Sequence, residues 1–121
     1  MDGGELYQAR TSSQYLAAYN WVKSGLAGSG SFLVPSTFAT SYPKAVSSAW
    51  GVFDHDMLQS GWPIMSASAF QSQMTLALKQ ADRYSWQYSE AYDWLGTGYP
   101  STVVPQSFLD ATANARTAGN S

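Results

Sequence analysis

Apolar and polar positions alternate along this chain with two different periods, and the places where the period changes mark the elements. Tyr15, Ala18, Tyr19, Val22 and Leu26 fall on one helical face. Thr11 and Gln14 in front of them have the spacing of a capping box, in which the hydroxyl caps the first turn and the amide reaches back. A helix over about 12–27 is predicted, stopped by Gly25, Gly28 and the Ser29-Gly30 that follows. Pro35 and Pro43 punctuate the next stretch, which leaves room for a short extended piece at Phe32-Leu33-Val34 and a helical turn at Pro43–Ser47. Ala49-Trp50-Gly51-Val52-Phe53 is then a compact apolar run that stops at Asp54-His55-Asp56, the pattern of a strand buried on both faces, at about 48–54.

A second helix is predicted over 66–81. It opens at Ser66-Ala67-Ser68-Ala69, with Ser68 and Gln71 at capping-box spacing, and its apolar face is Phe70, Met74, Ala77, Leu78 and Ala81. At about Asp82 the period falls from 3.6 to 2. Tyr84-Ser85-Trp86-Gln87-Tyr88-Ser89 alternates large and small residues, so a strand is expected at 83–89 rather than a longer helix. Gly96, Gly98 and Pro100 make a loop, and Pro105 opens a last helix over about 105–117 that ends by Gly119. Strand, crossover helix, strand implies two parallel strands in a right-handed β–α–β unit.

Composition narrows the function. The chain has 121 residues, enough for one domain or one piece of a larger one. No apolar run approaches the roughly 20 residues of a membrane span, and no basic-then-apolar leader opens the sequence. A net charge of −2 without a basic stripe argues against nucleic acid as a partner, and a membrane is not expected either. There is no Cys and one His, so neither a metal site nor another cofactor is expected. Charged residues make up only 12% of the chain and aromatics 15%. So many Trp and Tyr exceed what a small core needs. They suit either a tight capsid-like surface or a sugar-binding cleft.

The acids sharpen the second reading. Six of the eight fall in pairs, Asp2 with Glu5, Asp54 with Asp56, and Glu90 with Asp93. Two pairs directly follow predicted strands, and the first stands where a preceding strand would end. Parallel α/β folds build their sites at those C-terminal strand ends. Carboxylates there would lie about 5 to 10 Å apart, the range glycoside hydrolysis uses. Glu90 is the leading candidate acid or nucleophile, with Glu5 and Asp54 as partners. Asp2, His55, Asp56, Trp62, Trp86, Tyr92 and Trp94 are candidate substrate contacts. The local alternative for each acid is a loop or helix cap, Asp2 and Glu5 complementing the first helix. His55 reads as either a satisfied loop histidine or a proton shuttle between Asp54 and Asp56.

These residues also resemble a family. Asp2-Gly3-Gly4-Glu5-Leu6-Tyr7 looks like the end of the sixth strand in glycoside-hydrolase-like TIM barrels, and Gly51-Val52-Phe53-Asp54 like the seventh. Ala77 to Glu90, with its Asp-x-Tyr-x-Trp-x-Tyr-x-Glu stretch, is similar to the last helix and eighth strand, and Val104-Pro105 with Phe108 and Arg116 to the closing helix. The resemblance implies an α/β fold forming part of a (β/α)8 barrel, its last two to three βα units, with residues 1–121 a single incomplete domain. It implies a carbohydrate-active, extracellular or periplasmic protein that hydrolyses or binds a polysaccharide or oligosaccharide. The isolated segment would be inactive, and would pair with the rest of a barrel or with itself. The competing expectation is a non-enzymatic structural or assembly protein, a phage or secreted filament component, with one long helix over 66–95.

Overall fold

The computed structural model describes residues 7–25 and 33–119. Helix α1 (Ser12–Lys23) starts on the expected capping box: Thr11 Oγ1 accepts the Gln14 N–H at 3.3 Å and Gln14 Oε1 accepts the Thr11 N–H at 3.0 Å. A single helical turn, α2 (Tyr42–Ala45), leads into strand β1 (Ala49–Phe53). Helix α3 (Ala67–Gln80) crosses to strand β2 (Tyr84–Tyr88), and α4 (Gln106–Gly119) closes the described chain. The N-cap of α3 is Ser66, whose hydroxyl accepts the Ala69 N–H at 3.2 Å, so the capping pair lies two residues before Ser68 and Gln71. Leu33 and Val34 form a bend rather than a strand, and Leu26 and Phe32 lie outside the described residues.

The two strands pair in parallel, Ala49 beside Tyr84 through Phe53 beside Tyr88. Alternation gives the sheet two unlike faces. Trp50 and Val52 turn toward the helices and join Tyr15, Val22, Phe70, Met74, Ala77, Phe108, Ala111 and Ala115 in one core. Gly51 and Phe53 turn the other way and meet Trp86, Tyr88 and the ring of Tyr7. The aromatics of β2 therefore lie on the face opposite the helices. Trp86 can lie across β1 because residue 51 has no side chain. A Cβ there would stand 2.6 Å from Trp86 Cζ2 and 2.6 Å from Tyr7 Cε1.

The barrel expectation is corrected by this arrangement. Among the described residues one sheet holds only two parallel strands, so the chain is not the last two to three units of a barrel. A barrel wall fills its interior with side chains from one face of every strand. Here that interior is replaced by a single helix-covered core on one face and a small aromatic cluster on the other. β2 is half-exposed along its length, and α4 packs on α3. The long-helix expectation fails too, because α3 ends at Gln80 and β2 follows. No helix among the described residues is long and apolar enough to cross a membrane.

Asp82 ties the N-terminal ends of the strands together. Its carboxylate takes the Ser48 N–H at 2.7 Å, Lys23 Nζ at 2.8 Å and the Tyr19 hydroxyl at 3.1 Å. Burial, the largest single influence, raises its pKa, but these donors together outweigh it and hold the group at about 2. A depressed carboxylate stabilises the fold above its ordinary value of 3.8, and that contribution is lost as the pH falls through the folded value. Asp82→Asn is accordingly expected to cost about 1–2 kcal/mol near neutral pH. It should also flatten the fall in melting temperature between roughly pH 4 and pH 2, measured by circular dichroism.

Candidate functional site

The C-terminal ends of the strands carry a buried acid, a histidine and an aromatic cleft. Asp54, the residue after β1, continues the alternation toward the helix face and is fully buried. Its Oδ1 accepts from His55 Nδ1 at 2.6 Å. Its Oδ2 accepts a short hydrogen bond from the Ser89 hydroxyl and a longer one, 3.4 Å, from the Ala91 N–H. No Lys or Arg among the described residues pairs with it. A buried carboxylate is costly unless its oxygens are satisfied, and these three donors from both strand ends do that.

His55 points to the aromatic face, its ring 4.7 Å from that of Phe53. Its Nδ1 is engaged by Asp54, and Nε2 has no hydrogen-bond partner among the described residues. Asp56 takes no part in a shuttle. It accepts from Gln59 Nε2 at 2.7 Å and the Leu58 N–H at 3.1 Å and pairs with Arg10 at 3.0 Å. The Gln59 bond first, helped by Leu58 and Arg10, holds its pKa below the usual carboxylate range. Asp56 thereby folds the loop after β1 back on itself, with Asp56 N–H bonded to the Pro63 carbonyl at 2.8 Å.

The cleft opens beside the end of β2. It encloses about 510 Å³ and is lined by Gln87, Tyr88, Ser89, Tyr92, Asp93, Trp94, Leu95, Thr97, Tyr99 and Pro100, a volume within the usual range for small-ligand sites. Tyr92 and Trp94 hold one wall by packing on Phe108, with ring centroids 5.1 and 6.4 Å away. Asp93 shapes the loop. It accepts the N–H groups of Gly98 at 2.6 Å, Thr97 at 3.0 Å and Leu95 at 3.2 Å. The Gly98 bond leads in holding its pKa below the ordinary value. Gly96 and Gly98 have φ of 69° and 80°, the left-handed backbone this tight wrap around one carboxylate requires. Tyr99 stands 86% exposed at the rim.

The sequence candidates thus separate. Asp54, His55, Tyr92 and Trp94 gather at the strand ends or in the cleft, and Asp56 and Asp93 are loop anchors. Glu90 is exposed, with Oε1 accepting the Tyr88 hydroxyl at 2.5 Å, and that bond is the main cause that pushes the Tyr88 phenol above its ordinary pKa. It lacks the enclosure among Trp86, Tyr92 and Trp94 that a proton donor requires. Trp86 packs edge-on against Tyr7, and Trp62 sits half-exposed in the β1–α3 loop; neither lines the cleft. Asp2 and Glu5 lie outside the described residues. Ser89, Gln87 and Tyr99 are site residues the sequence did not single out. The polar phase of the 84–89 alternation was the available signal for the first two. No metal-binding cluster of three or more His or acidic side chains occurs among the described residues.

No family model, curated protein or solved structure matches this chain. The site is therefore read from its own geometry.

Proposed function

We propose that the protein binds a saccharide in the cleft at the end of β2. The observation that carries this reading is the lining itself. Four aromatic rings, Tyr88, Tyr92, Trp94 and Tyr99, alternate there with the hydrogen-bonding side chains of Gln87, Ser89 and Thr97. Flat rings match the apolar faces of pyranose sugars, and the polar groups between them meet the hydroxyls. None of the six Lys and Arg residues lines the cleft. Asp93, its one carboxylate, is already occupied by backbone donors. A neutral polysaccharide or oligosaccharide fits this lining better than an anionic one.

Affinity electrophoresis through gels carrying neutral glucans, xylans and mannans tests the reading, with a polyuronate as control. Retardation by at least one neutral polymer is expected. Tyr99→Ala, which removes an exposed ring without opening the core, should weaken that binding about tenfold, or ~1.4 kcal/mol. Migration unaffected by every neutral polymer would overturn the proposal.

A further inference from the structure

We propose that Asp93 is the positioning residue of the saccharide cleft: acting through Thr97, its carboxylate fixes the backbone that carries the ring of Tyr99. This rests on the saccharide-binding reading and names what sets the geometry of that site. Three of the four cleft rings are held by other rings. Tyr88 lies against Phe53 at 5.1 Å, Tyr92 against Phe108 at 5.1 Å, and Trp94 against Phe70 at 6.1 Å. Tyr99 has no such support. It is 86% exposed, and its side chain has neither a ring contact nor a hydrogen bond among the described residues. Only its backbone can aim it.

That backbone is tied to Asp93 step by step. Asp93 Oδ2 accepts the Gly98 N–H at 2.6 Å, and Oδ1 accepts the Thr97 N–H at 3.0 Å. The Thr97 hydroxyl divides its proton between Asp93 Oδ1, at 3.3 Å, and the Tyr99 carbonyl, at 3.0 Å. The same hydroxyl oxygen accepts the Tyr99 N–H at 3.4 Å. Asp93 itself belongs to the fixed base of the loop. Its N–H bonds to the Thr102 carbonyl at 2.8 Å, and the next residue, Trp94, packs on Phe70 and Phe108. The carboxylate thus connects a packed base to an exposed tip.

A wall ordered before the saccharide arrives avoids the entropy cost of ordering it on binding. Asparagine at 93 would keep one oxygen for the Thr97 N–H but set an amide N–H against the Gly98 N–H, two donors face to face. The loop then loses its closest bond, and Tyr99 samples positions from which it cannot stack on a sugar. Because the saccharide is neutral, the lost charge by itself removes no attraction.

The test measures dissociation constants by affinity electrophoresis on the neutral glucan, xylan or mannan that retards wild type. Asp93→Asn should weaken binding about fivefold, while the Trp50 indole resonance keeps its wild-type position and shows the core intact. In a Tyr99→Ala background the same substitution should add less than about twofold, because the ring it positions is gone. The Gly98 amide proton, bonded to a carboxylate, should resonate downfield in wild type and move upfield in Asp93→Asn. A second pair of variants leaves the carboxylate and every lining side chain in place. Gly98 and Gly61 have φ of 80° and 77°, with open space where a Cβ would stand, so alanine strains the backbone equally at both. Gly98→Ala should weaken binding, and Gly61→Ala, in the β1–α3 loop, should bind as wild type. Unchanged affinity in Asp93→Asn, a loss that persists in full without Tyr99, a Gly98 amide that does not move, or Gly98→Ala binding as tightly as Gly61→Ala would each overturn the positioning role and leave the saccharide reading standing. No retardation of wild type by any neutral polymer overturns both.

Discussion

Trp50→Ala should cost about 3–5 kcal/mol, the range for truncating a buried Trp. Stability of the whole domain is expected to be only about 5–15 kcal/mol, so a large part of the population would unfold under mild denaturant. Trp50 is 2% exposed and stands edge-on to Tyr15, with ring centroids 6.2 Å apart. It is the largest side chain joining the two-stranded sheet to the helices. So small a sheet has little other area with which to hold them. Its indole Nε1 has no hydrogen-bond partner among the described residues, so Trp50→Phe sacrifices packing volume but no bond and should cost far less. Urea denaturation followed by far-ultraviolet circular dichroism separates the two. Equal midpoints for Ala and Phe would show that Trp50 does not carry this contact.

Gly51→Val is expected to have the next largest effect, about 2–3 kcal/mol by overpacking. The new Cβ would meet Trp86 and Tyr7 at 2.6 Å, and both rings are hemmed in by their own partners. The backbone at Gly51 is ordinary strand, so the cost is one of space and not of backbone conformation. Relief should come from shrinking the obstacle. Gly51→Ala with Trp86→Leu should melt closer to Trp86→Leu alone than Gly51→Ala melts to wild type.

These two residues also show what the sequence could and could not disclose. The apolar run at 48–54 and the change of period at Asp82 are local signals. Both strands appeared within one residue of the expected ends, at Ala49–Phe53 and Tyr84–Tyr88. Helix α1 was expected four residues longer, to 27; it ends at Lys23, where Ser24 closes the last turn on Asn20. What alternation cannot reveal is which phase of a strand faces the helices. Tyr84, Trp86 and Tyr88 look like core residues from their size alone. They lie on the opposite face because Trp50 and Val52, which carry the helix contact, pair with Ser85 and Gln87.

The acids repeat the lesson. Clustering at strand ends drew attention to the right end of the sheet, but long-range partners assign the roles. Arg10, forty-six residues before Asp56 in sequence, makes that acid a loop anchor. Ser89 makes Asp54 a buried acceptor. Asp93 is explained by a local turn, the capping alternative that applied to every acid from the start.

The most direct test of the account is a nitrogen-15 titration with neutral gluco-, xylo- and manno-oligosaccharides, read at the five tryptophan indoles. Trp94 lines the cleft and Trp21, Trp62 and Trp86 do not, while Trp50 is buried in the core. The account predicts saturable shifts of the Trp94 indole and of amides across 87–100 with at least one sugar, and a silent Trp21. Shifts confined to Trp62 or Trp21, or none with any sugar, would contradict it.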